Sequence, residues 1–454
     1  MLDIKLIRKH PDTFKQNFVR RGDAESLEIL DALLKHDETW RQLLTEANAL
    51  RHERSKLTNK VADLKKAGKE YRNLIEQGKQ LAKNITLLED RARTQKQTVD
   101  ELLINLPNML HDSVPSGKDD ADNMEVKVWG RPPTFNFPPK NHLEIGRDLG
   151  IIDEERGAKV SGHGFLYLSD QLVLLDLALQ RFALDFMIAK GFRLVEPPFM
   201  MRRKPYSGVT ALADFEQVMY KVEGEDLYMI ATSEHPLAAM YMNEVLLRDD
   251  LPLGLVGLSP CFRKEVGSHG KYTKGLFRMH QFNKVEQFVF CHPSDSWRIH
   301  EELQANSEAL YEKLGLHYKV VNVCTGEIGT LASKRYDINI WMADGVYREV
   351  GSNSNCTDYQ SRRLNIRFRE KEGQSPAGFV HTLNNTALAT SRTMVAILEQ
   401  HQQKDGTVIL PKVLNRYMPG VTRLEPQLKS LNVNISYTKS FNIGTSDSSR
   451  RNED

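Results

Sequence analysis

At 454 residues the chain has room for two or three domains and a large core, and a formal net charge of +2 singles out no polyanionic or polycationic partner, so such a partner has to be sought in local charge. Cys261, Cys291, Cys324 and Cys356 lie too far apart for a disulfide framework or a sequence-local zinc knuckle, which fits a reducing cytoplasm. No run approaches the ~18 apolar residues of a membrane span, and Met1 opens a charged segment without an apolar leader, so a soluble cytoplasmic protein with no membrane partner is expected.

Residues 1–26 are mixed in character, and the next eighty read as a helical pair. Leu33, His36, Trp40, Leu43, Ala47, Leu50, Arg54, Leu57, Val61 and Leu64 follow at alternating steps of three and four, the spacing of a coiled-coil seam with His36 and Arg54 as polar exceptions. After Lys65-Lys-Ala-Gly68-Lys the same spacing resumes through Leu74, Gly78, Leu81, Ile85, Leu88, Ala92, Gln95, Val99, Leu102 and Leu106. Two such seams joined by a short glycine-containing turn predict an antiparallel hairpin, a projecting arm in which Leu33 to Leu64 spans roughly 48 Å. Residues 51–96 hold 13 Lys and Arg against six Asp and Glu. That excess of one sign, which includes Lys65, Lys66, Lys69 and Arg72 near the turn, points to a phosphate backbone as partner.

Residues 107–140 are rich in Pro, Asp, Asn and Gly and read as a linker out of a first domain at 1–106. A second domain is expected over 141–420. It opens with an apolar helix from Leu168 to Lys190, ended by Gly191, and a strand from Phe192 to Met201 interrupted by Pro197-Pro198. Short strands then alternate with helices to about Tyr417, and the polar stretch 421–454 is expected to be a poorly ordered tail.

The stretch richest in chemistry lies between Arg263 and Glu286. Arg263-Lys264-Glu265 is followed by a loop holding Gly267, Gly270 and Gly275, and then by Arg278, His280, Phe282, Lys284 and Glu286 at period two. Read as a hairpin, this alternation puts all five on one face. A face with a cation for phosphate, a ring for a purine and a carboxylate for an ammonium group suits the binding of both ATP and an amino acid. Neither a G-x-x-x-x-G-K-[ST] loop nor a G-x-G-x-x-G turn is present, so the nucleotide needs another cradle.

Taken in order, Gly191-Phe-Arg-Leu-Val-Glu-Pro-Pro198, Thr232-Ser-Glu234, Phe262-Arg-Lys-Glu265, Glu349-Val-Gly-Ser352 and Leu383-Asn-Asn-Thr386 running to Arg392 resemble the class II aminoacyl-tRNA synthetases, and specifically seryl-tRNA synthetase. The resemblance covers the chain to about Met418. Its most specific runs are Thr-Ser-Glu-His-Pro from 232, Arg-Met-His-Gln-Phe from 278 and Asn355-Cys-Thr-Asp-Tyr-Gln-Ser-Arg-Arg363, the last of these, with Leu-Asn-Asn-Thr from 383, being closer to the archaeal and eukaryotic branch.

The resemblance implies an α+β fold, a class II antiparallel sheet flanked by helices and preceded by the coiled-coil arm. It implies serine activation by ATP and transfer of serine to the 3′ end of tRNA(Ser), with tRNA(Sec) a second candidate, by a homodimer joined through Gly191 to Pro198. Arg263 would clamp the α-phosphate and the substrate carboxylate, Glu265 would meet the adenine amino group and Phe282 would stack on the ring. Arg278 and Arg392 would hold the outer phosphates, Glu349 and Ser352 would hold Mg²⁺, and Lys264, Met279, Val350 and Gly351 complete the expected ATP site. Thr232, Ser233, Glu234, Glu286, Asn384 and Thr386 would form the serine pocket with Arg263. Thr386 stands where bacterial members have serine. The metal-ligand cysteine arrangement of a zinc-dependent branch is not seen, so no zinc is expected. Paralogues that load a carrier protein resemble the catalytic body but lack the arm.

Overall fold

The computed structural model describes residues 1–210, 218–265 and 275–426. The Asp23 carboxylate accepts the Ser26 backbone N–H at 2.9 Å and so caps the first long helix, α1 (Ala24–Lys66). Its 43 residues reach ~64 Å at ~1.5 Å each. Gly68 turns the chain in the left-handed region at φ 67, and α2 (Arg72–Asn105) returns along α1.

Leu33, Leu43, Ala47, Ile85, Ala92 and Val99 are buried in the seam, while Leu57, Val61, Leu64, Leu74 and Leu81 nearer the turn are only half-buried. Two polar seam residues meet across it, His36 Nδ1 lying 2.7 Å from Gln95 Oε1. Gly78 faces Leu57, so the helices can approach where one side chain is missing. Lys65, Lys66, Lys69 and Arg72 are exposed at the tip. The core of this domain is set below the arm, where Ile7, Phe14 and Phe18 pack on Leu30, Leu33, Val99 and Leu103.

The second domain is built on one eight-stranded sheet: β1 (Met124–Trp129), β2 (Arg193–Val195), β3 (Leu253–Phe262), β4 (Gln281–Cys291), β5 (Tyr318–Asn322), β6 (Lys334–Trp341), β7 (Tyr347–Asn355) and β8 (His381–Ala389). Its order is β1-β5-β6-β7-β8-β4-β3-β2. Every pairing is antiparallel except that of the edge strand β2, which runs parallel to β3. A parallel pair requires a crossover, supplied here by residues 196–252. The fold is therefore α+β, a largely antiparallel sheet flanked by helices.

Those helices are α3 (Asp170–Ala189), α4 (Glu234–Ala239), α5 (Ser296–Leu314), α6 (Tyr359–Leu364) and α7 (Thr390–Gln400). Leu172, Leu175, Leu179, Phe182 and Met187 of α3 enter the main core with Val395 and Leu398 of α7, whereas Val173, Leu174, Leu177 and Ile188 on the outer face of α3 are exposed. Among the described residues no helix is long and apolar enough to cross a membrane.

Two boundaries differ from the sequence reading. Residues 107–140, expected as a linker, are part of the body: β1 pairs with β5, and the buried Asn108 side chain donates to the carbonyls of Leu331 and Cys356, both at 2.9 Å. Proline- and aspartate-rich composition marks irregular backbone but not whether that backbone is free or packed, which distant partners decide. At the other end, Arg423–Leu424 pair with Val408–Ile409, so the expected tail begins as a strand; residues 427–454 lie outside the described residues.

Candidate active site

The hairpin predicted between Arg263 and Glu286 is present as β3 and β4, paired from Leu253↔Phe290 to Phe262↔Gln281. The common face is shorter than period two suggested, because β4 starts at Gln281 and a 3₁₀ turn at Gly275–Phe277 precedes it. Phe282, Lys284 and Glu286 line the cleft. Arg278 and His280, which come before the strand, do not share that face. Arg278 Nε donates to Glu265 Oε2 at 2.5 Å, and His280 stacks on Phe165 and shares a hydrogen bond with the Tyr220 hydroxyl. Gly267 and Gly270 fall outside the described residues, and Gly275 holds the far side of the loop at φ 67 against His142 and Leu143.

The cleft has a volume of about 400 Å³ and runs along the face made by β4, β8 and β7. Arg263 projects into it with its Nε donating to the Ala231 carbonyl at 3.2 Å and its guanidinium 5.2 Å from the centre of the Phe282 ring. Thr232, Glu234, Glu286, Asn384 and Thr386 gather at one end, with Gly351 against Thr386; Glu349, Ser352 and Arg392 form the other, and Val350 also lines the cleft. Residues from four separated segments thus meet in one concave site. Of the expected residues, Ser233, Lys264, Glu265, Arg278 and Met279 do not line it. Ser233 is buried against Gly257, Lys264 turns toward the Tyr220 ring, and Met279 packs in the core beside a smaller cavity on the other side of Phe282.

At the first end, Asn384 joins two carboxylates, its Nδ2 donating to Glu234 Oε2 at 3.2 Å and to Glu286 Oε1 at 3.3 Å. Gln360 Nε2 donates to Glu234 Oε1 at 3.3 Å, and Thr386 Oγ1 to Glu286 Oε2 at 3.4 Å. Desolvation at the cleft floor, with the nearby Glu286 charge, pushes the Glu234 carboxyl up to about 7. Beside it His235 is pushed down to about 3 by burial and by the Lys284 and Arg263 charges, so this imidazole is neutral near pH 7.

At the other end, Arg392 at the start of α7 donates to the Glu349 carbonyl at 2.8 Å and lies 4.9 Å from the centre of the Phe277 ring. Ser352 Oγ donates to Glu349 Oε1 at 3.1 Å. Desolvation raises the Glu349 carboxyl, but the Arg392 and Arg335 guanidinium groups outweigh it and hold it below the usual range. One carboxylate, still 42 % exposed, with one hydroxyl beside it on the same strand, fits a magnesium ion that takes its remaining ligands from phosphates and water.

Sequence reasoning missed Gln360, Arg335 and the lining loop Thr330-Leu331-Ala332. Gln360 sits within the specific run 355–363 and was open to detection there; Arg335 and the loop reach the cleft only through sheet pairing and carry no local signal.

Comparison with known proteins accords with this geometry. Residues 1–110 match the seryl-tRNA synthetase N-terminal domain and residues 218–401 the class II tRNA synthetase core domain (G, H, P, S and T). The chain is 51 % identical to the serine–tRNA ligase of Methanocella arvoryzae over 93 % of its own length and 100 % of that protein. Among solved structures, the seryl-tRNA synthetase of Pyrococcus horikoshii complexed with ATP shares 48 % identity at a TM-score of 0.91, covering 94 % of this chain and 100 % of that one. The cytoplasmic serine–tRNA ligase of Naegleria fowleri in complex with AMP shares 32 % at 0.86, covering 94 % and 99 %. With both of its domains matched and half of its residues shared along nearly its whole length, the chain belongs to the seryl-tRNA synthetase family of class II aminoacyl-tRNA ligases.

Proposed function

We propose that this ligase joins serine to tRNA(Ser) in two steps within the one cleft. The observation that carries the reading is the meeting of Arg263 and Phe282 with the Glu234, Glu286, Asn384 and Thr386 cluster, which puts phosphate, ring, ammonium and hydroxyl recognition within a single 400 Å³ space. In the first step a serine carboxylate oxygen attacks the α-phosphorus of ATP in line with the departing pyrophosphate. The reaction needs positioning and stabilised charge rather than a covalent nucleophile from the protein. In the second, the 3′-terminal ribose hydroxyl of the tRNA attacks the activated carbonyl and AMP leaves.

In this reading Glu234 takes the serine ammonium as a charge-assisted bond, and Glu286 with Thr386 takes the side-chain hydroxyl. Phe282 stacks on adenine, Arg263 bridges the α-phosphate and the serine carboxylate, and Arg392 holds an outer phosphate. Arginine suits both places because its planar fork bonds two oxygens at once and stays charged when desolvated. Arg278 and Glu265, paired with each other at 2.5 Å, do not line the cleft. Glu349 and Ser352 would hold Mg²⁺, which when bound neutralises charge on the phosphates.

Serine should drive ATP–pyrophosphate exchange, while alanine, which brings no hydroxyl to the Glu286 and Thr386 pair, should be rejected by ~10⁴ in kcat/KM. Exchange rates measured with serine, alanine and threonine check this. Comparable exchange with alanine would exclude serine specificity.

Two further elements belong to the reading. Val173, Leu174, Leu177 and Ile188 expose an apolar face on α3 beside the edge strand β2, where Leu194 is also exposed, and a second copy would bury it. A homodimer by light scattering is the expected result, and Leu177→Glu should shift it toward the monomer. The four buried, unpaired cysteines suit a reducing cytoplasm, where tRNA is charged.

A further inference from the structure

Lys284 stands in the serine end of the cleft without any role so far. It is buried, and its ammonium lies 2.6 Å from Glu286 Oε2, with side-chain exposures of 8 % and 0 %. Glu286 also accepts from Asn384 and Thr386, so its charge is matched inside the protein while one of its roughly four acceptor sites stays open to a substrate hydroxyl. Glu234, by contrast, accepts two amide N–H bonds, from Gln360 and from the same Asn384, and among the described residues no cation is paired with it.

The charges facing this corner can be followed element by element. From β4 come Lys284 and Glu286; from the end of β3 come Arg263, tied to the Ala231 carbonyl, and Cys261, whose thiol burial pushes up. From α4 come Glu234 and His235, neutral near pH 7, and from the segment before it Tyr206, also pushed up by burial. After β7 comes Cys356, its thiol raised by burial and the Glu234 charge. Asn384 and Thr386 of β8 and Gln360 of α6 are uncharged. Two carboxylates therefore share this corner with a single ammonium, while the Arg263 guanidinium is directed to the Phe282 ring and the phosphate side.

We infer that Lys284 is a positioning residue for serine recognition: it is the standing counter-ion of Glu286, and it thereby leaves Glu234 as the carboxylate that ionises as the substrate's ammonium arrives. This rests on the serine reading given above and adds to it a proton balance. Below pH 7 Glu234 carries a proton in the free site, and serine binding releases that proton to solvent as the ammonium takes its place. Serine affinity rises about tenfold per pH unit up to a midpoint near 7 and levels off above it. Removing the Lys284 charge leaves two adjacent carboxylates with only the weaker influence of Arg263 to lower them, so a proton is retained to higher pH and the midpoint moves up.

The test measures kcat/KM for serine in ATP–pyrophosphate exchange across pH 5.5 to 9 for the wild type, Lys284→Met and Lys284→Arg. The expected result is a midpoint near pH 7 in the wild type and at least about one unit higher in Lys284→Met, with at least about a fivefold rise in the serine KM at pH 7. The ATP KM should hold, and Lys284→Arg should return the midpoint. A folded Lys284→Met with the wild-type midpoint overturns the inference while leaving serine activation intact. A wild type inert to serine at every pH overturns the serine reading and this inference with it. Because Lys284→Met removes a buried ion pair and is at risk of not folding, a second measurement uses the wild type alone. Calorimetric titration with serine at pH 6.5, in two buffers of different ionisation enthalpy, should show roughly three quarters of a proton released. No proton release overturns the inference.

Discussion

Arg263→Ala is expected to lower serine-dependent ATP–pyrophosphate exchange by at least about 10²-fold, since removing one preorganised donor to transition-state charge typically costs ~3 kcal/mol. Arg263 leaves the end of β3 between the ring of Phe282 and the carbonyl of Ala231, so its guanidinium is oriented before any substrate arrives. Charge accumulates on the phosphoryl oxygens as pyrophosphate departs, and a fixed fork there stabilises the transition state more than the ground state. The loss should therefore fall mainly on kcat. Arg263→Lys should recover little of it, because an ammonium is a point charge without the fork. Exchange within a few-fold of wild type in a folded Arg263→Ala variant would remove Arg263 from the role of clamp.

Replacing the distal arm, residues 51–84, with a short linker should leave exchange nearly unchanged and abolish tRNA charging. Every residue proposed to hold serine or ATP lies at or beyond Thr232, in the second domain, and residues 51–84 lie beyond the base of the hairpin, where Leu33, Val99, Leu103 and Leu106 pack with Tyr359 of that domain. The arm's distal half carries the excess of positive charge, and Lys65, Lys66, Lys69 and Arg72 are exposed at the tip. Cations contacting a nucleic-acid backbone release counterions, so binding of the full chain to tRNA should fall steeply with salt, whereas serine and ATP binding should respond far less. Reversing those four charges to Glu should reproduce part of the deletion without touching the seam. Both exchange and charging are measured on each variant. Normal charging by the armless protein at moderate salt would exclude the arm from tRNA binding.

The sequence was sufficient wherever the information is local. The heptad spacing from Leu33 to Leu106 specifies the helical pair because side chains three and four apart share a face, and Gly68 marks the turn because a left-handed backbone favours glycine. The run of motifs likewise placed Arg263, Phe282, Glu286, Asn384, Thr386, Glu349, Ser352 and Arg392, all of which line one cleft. Period two also put Lys284 beside Phe282 and Glu286 on β4, though it gave no hint of what the ammonium would touch.

Tertiary structure decided the rest. The alternation from Arg278 to Glu286 is continuous as a sequence pattern, but the 3₁₀ turn at Gly275–Phe277 starts the strand only at Gln281, which sends Arg278 to Glu265 and His280 to Tyr220. Residues 107–140 have the composition of a linker and yet are bound into the body through Asn108 and β1, whose partners lie some two hundred residues away. The two carboxylates of the serine end, Glu234 and Glu286, are brought together by packing of α4 on the sheet, and only that proximity, in a corner screened from water, raises Glu234 toward neutrality and makes the Lys284 ammonium matter. The physical reason is common to all three cases. Backbone periodicity is written in near neighbours, whereas charge balance, desolvation and the partners of irregular backbone depend on residues that the chain brings together only when it folds.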